Sequence, residues 1–196
     1  MAITEITEAK PAEDQRSRWI GVYVGILATL LAICTMGGGN ATKDATRSNI
    51  EATNTWAFFQ AKNTRRQMLT VAADDLDLML KATPGVPEEA RKAVEEKIKA
   101  YRADISRFTS DKKSGEGLDE LWERAKEIEK ERDLALRKDP YFDLAQALLQ
   151  IAIVLASVAL IAGADFLVYL SLLVGTVGTL LMVNGFVLLL KLPVLG

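Results

Sequence analysis

No histidine occurs in the 196 residues, and cysteine occurs once, at Cys34. Without histidine the commonest general base and metal ligand is missing. A single cysteine excludes an intrachain disulfide and a cysteine-rich zinc site. The charges nearly cancel, 24 Lys+Arg against 26 Asp+Glu for a formal −2, so the basic footprint of a nucleic-acid-binding protein is missing too. The phosphate-cradling Gly-x-x-x-x-Gly-Lys-Ser/Thr loop, Gly-x-Gly-x-x-Gly and His-Glu-x-x-His do not occur. These absences predict a chain that is not an enzyme, with no catalytic residue, cofactor or metal site and no nucleic-acid partner.

Charge is also absent locally. Residues 19–42, 144–164 and 166–190 contain no Asp, Glu, Lys or Arg. About 20 apolar residues cross a bilayer as a helix, and in lipid only helices and closed barrels satisfy the backbone. The runs are too long and too continuously apolar for barrel strands. The expected class is therefore an all-α membrane protein: three transmembrane helices with a charged, antiparallel, coiled-coil-like helical bundle outside the membrane. Its parts are a polar tail (1–18), a first span (19–36) ending at Gly37-Gly38-Gly39, a charged middle (40–143), and two further spans (144–164 and 166–190). Arg16, Arg18 and Trp19 mark the start of the first span, and Arg137, Lys138, Tyr141 and Phe142 that of the second. Tyr169 and Lys191 flank the third. The first run is too long for a signal-peptide core and is read as a retained span.

The middle holds 20 Lys+Arg and 21 Asp+Glu. Val94, Ile98, Tyr101, Ile105 and Phe108 alternate steps of 4 and 3, as do Leu118, Leu121, Ala125 and Ile128, with Arg132 next in phase. Upstream the pattern splits. Leu69, Ala72, Leu76 and Met79 keep one phase, while Ile50, Ala57, Ala61 and Met68 keep another. Breaks at Thr83-Pro84-Gly85 and Ser114–Gly117 predict three helices folded back on one another. Asp139-Pro140 is expected to interrupt the third of these where it meets the bilayer, because proline inside a helix costs about 3 kcal/mol.

Three groups of residues carry the functional expectations. The first is small residues at helix-contact spacing, the route by which helices associate in lipid: Gly21, Gly25, Ala28 and Ala32; Ala152, Ala156, Ala159 and Gly163; Gly175 and Gly178. They predict a homo-oligomer in contact with membrane lipid. The second is Trp56, Phe58 and Phe59 with Lys62, which fill a bundle core or dock a partner protein. The third is Thr176, Thr179 and Asn184, which line a narrow pore in a ring of subunits or bond the carbonyl one turn back. The leading reading is a self-associating scaffold or docking protein. The alternatives are an accessory subunit of a larger membrane complex and an oligomeric channel or transporter.

Gly37-Gly38-Gly39-Asn40-Ala41, Asn49-Ile50-Glu51-Ala52 and Thr55-Trp56-Ala57-Phe58-Phe59-Gln60-Ala61-Lys62 together resemble the signature of a bacterial membrane family, domain of unknown function 4337. Gln150-Ile151-Ala152-Ile153 at the final hairpin is similar as well. The resemblance implies a polar tail, one span, a charged helical middle and a two-span hairpin in the bacterial inner membrane. It also implies a cytoplasmic N-terminus and an extracytoplasmic middle. Where the family usually carries basic residues in the last turn, this chain has Ala164-Asp165. The resemblance implies no activity.

Overall fold

The computed structural model describes residues 11–190, with side chains from Gln15 onward. The tail up to Lys10 and Lys191 lie outside the described residues. Four helices account for nearly all of the described chain: α1 (Pro11–Ala82), α2 (Glu88–Thr109), α3 (Leu118–Ala162) and α4 (Asp165–Val187). Among the described residues there is no strand. α1, α3 and α4 are each long and apolar enough to cross a membrane. The chain divides into two compact units, one of residues 1–45 with 133–196 and the other of 46–132.

The first unit contains the apolar runs. Its core is Leu27, Cys34 and Ala41 of α1, Phe142, Ala145, Leu149 and Ala152 of α3, and Met182 of α4. Ile161, Leu173, Leu180 and Phe166 stay exposed on the outside. Such an apolar exterior is compatible with helices that cross a membrane.

Gly37–Gly39 close the first apolar run but do not end the helix, although glycine is a poor helix former by about 1 kcal/mol each. Tertiary packing explains why they remain helical. A Cβ on Gly37 would lie 2.6 Å from the Phe142 ring and 2.8 Å from that of Phe186, and one on Gly185 would lie 3.1 Å from Phe142. The glycines make room for the edge-on Phe142–Phe186 pair, whose centroids are 4.9 Å apart. Nor does Pro140 interrupt α3, which runs through it. Proline offers no N–H to the Leu136 carbonyl one turn back, and Leu136 itself is exposed rather than part of the core. The neighbouring Asp139 carboxylate accepts the Thr42 hydroxyl at 2.9 Å, tying α3 to α1 at this level.

The second unit also departs from the expected three-helix bundle. α3 residues meet the first part of α1: Arg124 pairs with Glu51 at 3.1 Å, and Trp122 packs on Trp56. α2 residues meet the later part: Phe108 lies near Lys62, and Arg102 reaches Asp77 at 4.0 Å. In each pairing one sequence number rises as the other falls, so α2 and α3 both run antiparallel to α1. They divide its length between them instead of forming a third layer. The expected seam residues are the ones turned inward: Ile98, Leu118, Leu121, Ala125 and Ile128 are buried, and Val94, Tyr101, Ile105 and Phe108 are half-buried.

Between α2 and α3 the chain makes a tight polar loop. The Asp111 carboxylate accepts the Lys113 and Ser114 amides at 3.2 Å each. Glu120, in the first turn of α3, accepts the Ser110 hydroxyl at 2.6 Å and the Asp111 amide at 3.1 Å. Hydrogen bonds favour the charged carboxylates and hold both acids below their ordinary pKa values, foremost from the Ser114 side chain for Asp111 and the Ser110 hydroxyl for Glu120. Gly117 is buried where a Cβ would lie 2.6 Å from the Ser110 Cα, so only glycine fits.

Candidate functional site

The three small-residue stripes have different fates. That of α3 is used inside the chain: Ala152, Ala156 and Ala159 are fully buried. The Ala152 carbonyl accepts the buried Ser171 hydroxyl of α4 at 2.6 Å, and Ser171 meets the Tyr23 hydroxyl of α1 at 3.2 Å. The stripe of α4 is used as well. A Cβ on Gly175 would lie 3.0 Å from the Tyr23 hydroxyl and 3.1 Å from Leu27, and one on Gly178 3.2 Å from Leu148 and Leu149. Gly163 has φ +66° and makes the turn between α3 and α4. The stripe of the first span is left over. Gly21, Gly25, Ala28 and Ala32 are all exposed, and a Cβ on either glycine would meet nothing within 4 Å.

Beside that turn Arg16 and Asp165 form an ion pair at 2.7 Å. The start of the first span and the α3–α4 turn are therefore at the same end of the helices. Asp165 balances a basic residue of α1 rather than making the turn itself basic.

Thr176 and Thr179 border a groove of about 200 Å³ lined also by Tyr23, Leu27 and Leu172. Their hydroxyls donate to the Leu172 and Gly175 carbonyls one turn back, at 2.7 and 2.8 Å. Asn184 closes the end of α4: its amide donates to the Leu190 carbonyl and its side-chain oxygen accepts the Leu190 amide, both at 2.9 Å. The Tyr141 hydroxyl donates to the same carbonyl at 3.0 Å. The polar groups of this expected pore set are thus bonded within the chain.

In the second unit the aromatic block splits by face. Trp56 and Phe59 turn inward and pack edge-on at 5.5 Å, and Trp122 of α3 completes the cluster at 4.9 Å from Trp56 and 6.0 Å from Phe59. The Trp56 indole N–H donates to Glu129 at 2.9 Å, and Lys126 bonds the other carboxylate oxygen at the same distance. The Lys126 ammonium lies 5.5 and 5.4 Å from the Trp56 and Trp122 rings. The Lys126 bond first, then that of Trp56, holds Glu129 below its ordinary pKa. Lys62 is nearly buried: its ammonium donates to the Glu116 carbonyl and lies 5.1 Å over the Phe58 ring. Phe58 and Trp122 themselves remain substantially exposed, at 41% and 49%.

Sequence reasoning missed one feature of α1. Ala52, Thr55, Phe59, Lys62, Arg66, Leu69, Ala73, Leu76 and Leu80 alternate steps of 3 and 4 without a slip, and every one is buried or half-buried. This is the inner seam against α2 and α3. Threonine, lysine and arginine occupy three of its positions, so hydrophobicity alone does not reveal it.

Among the described residues the chain is all-helical with three helices long and apolar enough to cross a membrane, which defines a class compatible with a membrane protein. The chain belongs to the family described as domain of unknown function (DUF4337), which it matches over residues 16–188. No curated protein and no solved structure matches it.

Proposed function

We propose that this chain is a non-enzymatic inner-membrane protein that associates with itself and presents its charged helical unit as a scaffold or docking surface. The observation that carries the reading is the unspent stripe of the first span. The small residues of α3 and α4 are used to bring helices together within the chain, whereas Gly21, Gly25, Ala28 and Ala32 face outward. Such a stripe permits close van der Waals approach, the main source of helix association in lipid. The half-exposed Phe58 and Trp122 support a docking role, since aromatic side chains dominate partner interfaces.

Native electrophoresis of the detergent-solubilised protein tests this reading. The wild type is expected to run as a discrete homo-oligomer. Gly25→Leu, which fills the open approach, should weaken the assembly, and Val154→Phe on the exposed side of α3 should not. A wild type that is monomeric at every concentration overturns the reading, and assembly unchanged in Gly25→Leu removes the first-span stripe from it.

A further inference from the structure

The side of α1 away from the inner seam carries a second heptad pattern. Ile50, Asn54, Ala57, Ala61, Thr64, Met68, Val71, Asp75 and Leu78 alternate steps of 4 and 3 without interruption, and all nine are exposed. Four heptads of helix extend about 42 Å. The large hydrophobic side chains left exposed in the 46–132 unit are Ile50, Phe58, Met68, Val71, Leu78, Met79 and Trp122. All but Trp122 lie on this stripe or directly beside it. The exposure is therefore concentrated on one helix face, and its spacing is the one that a second helix of matching spacing fits.

We infer that this outer face is the docking surface for the same face of a second copy of the chain, paired in parallel and in register. The inference rests on the self-association proposed above and assigns it an extramembrane contact. Four observations favour a second copy. The seams of α2 and α3 are already turned inward, so among the described residues of this unit the stripe on α1 is the one heptad seam without a partner, and it is its own match. α1 also carries the first apolar run, so in two copies inserted alike in one bilayer the α1 helices run in the same sense, as parallel pairing requires. In that register the edge residues oppose Thr53 to Phe58, Gln60 to Arg65, Gln67 to Ala72 and Asp74 to Met79 of the second copy, and no pair carries like charges. Asn54 falls at an a position of the seam and meets its own counterpart, where an amide can both donate and accept; a lone asparagine there specifies register at some cost in stability. Ala57 and Ala61 allow close approach in the first half of the seam. The one opposition is at Asp75, which meets its counterpart one turn from the end of the seam.

The test is disulfide trapping in native membranes, in a Cys34→Ala background. Ala57→Cys should give a covalent dimer several-fold more readily than Thr70→Cys, which is also exposed but on another side of α1. Removing the charge clash with Asp75→Leu should raise trapping at Ala57→Cys, and Ala61→Lys should lower it. If native electrophoresis still shows a homo-oligomer while Ala57→Cys is trapped no better than Thr70→Cys, this seam is wrong and the self-association reading survives. Trapping only in mixtures of Ala57→Cys with Ala61→Cys would mean antiparallel pairing and overturn the register. A covalent adduct with a different protein would overturn the choice of partner. A monomeric wild type would remove the underlying reading itself.

Discussion

Gly37 shows how much a single residue means once its neighbours are known. In the sequence, Gly37-Gly38-Gly39 reads as the end of a span. In the fold the missing side chain of Gly37 is the space that the Phe142 and Phe186 rings occupy. Gly37→Val should therefore overpack the core of the first unit and cost about 1–3 kcal/mol, the usual range for such insertions. A lowered thermal midpoint in detergent would be the readout, and an unchanged one would mean that the ring pair can move aside. The surroundings of Glu129 decide its role in the same way. Its pKa is lowered, so its charged form is the one the fold favours. The stabilisation is complete above the ordinary glutamate range and lost as the pH falls through the folded-state value. Near-ultraviolet circular dichroism of the Trp56–Trp122 cluster should change on acidification below that range. Glu129→Gln should flatten this change, and an identical acid profile would show that the carboxylate does not hold the indole.

At the scale of the element, the heptad is the rule shared by α1, α2 and α3. For α2 and α3 it was legible directly, because Val94, Ile98, Tyr101, Ile105 and Phe108, and Leu118, Leu121, Ala125 and Ile128, are apolar and inward. For α1 it was legible only in part. The stripe most visible in the sequence, Ile50, Ala57, Ala61 and Met68, is exposed, while the seam that packs includes Lys62 and Arg66. Long cationic side chains can cover apolar surface with their stems while their heads find oxygen, as Lys62 does at Glu116. Hydrophobicity marks such positions as outside, and only the partner across the seam shows that they are inside. Pro140 lies inside a continuous helix for a related reason: the propensity penalty is real, but the residues on both sides of it, Asp139 and Tyr141, make tertiary contacts.

For the whole molecule the open quantity is orientation. Arg16 pairs with Asp165, so the start of the first span and the last turn share a side. The cytoplasmic N-terminus that the family resemblance implies predicts that this side is cytoplasmic and the helical unit extracytoplasmic. In intact cells lacking Cys34, Lys112→Cys in the exposed loop after α2 should react with a membrane-impermeant maleimide, and Glu5→Cys should react only after permeabilisation. The reverse labelling would put the helical unit in the cytoplasm. The sequence by itself determined the helical class and the three apolar runs, because an uncharged run of bilayer length has few other solutions in water or lipid. It also determined the family, through its glycine and aromatic blocks. Which small-residue stripe is spent and which is free, which face of α1 is inner, and why the glycines stay helical were decided only in the tertiary structure. Each depends on what lies across a contact, and periodicity along one helix ranks its faces by hydrophobicity without naming the face that finds a partner.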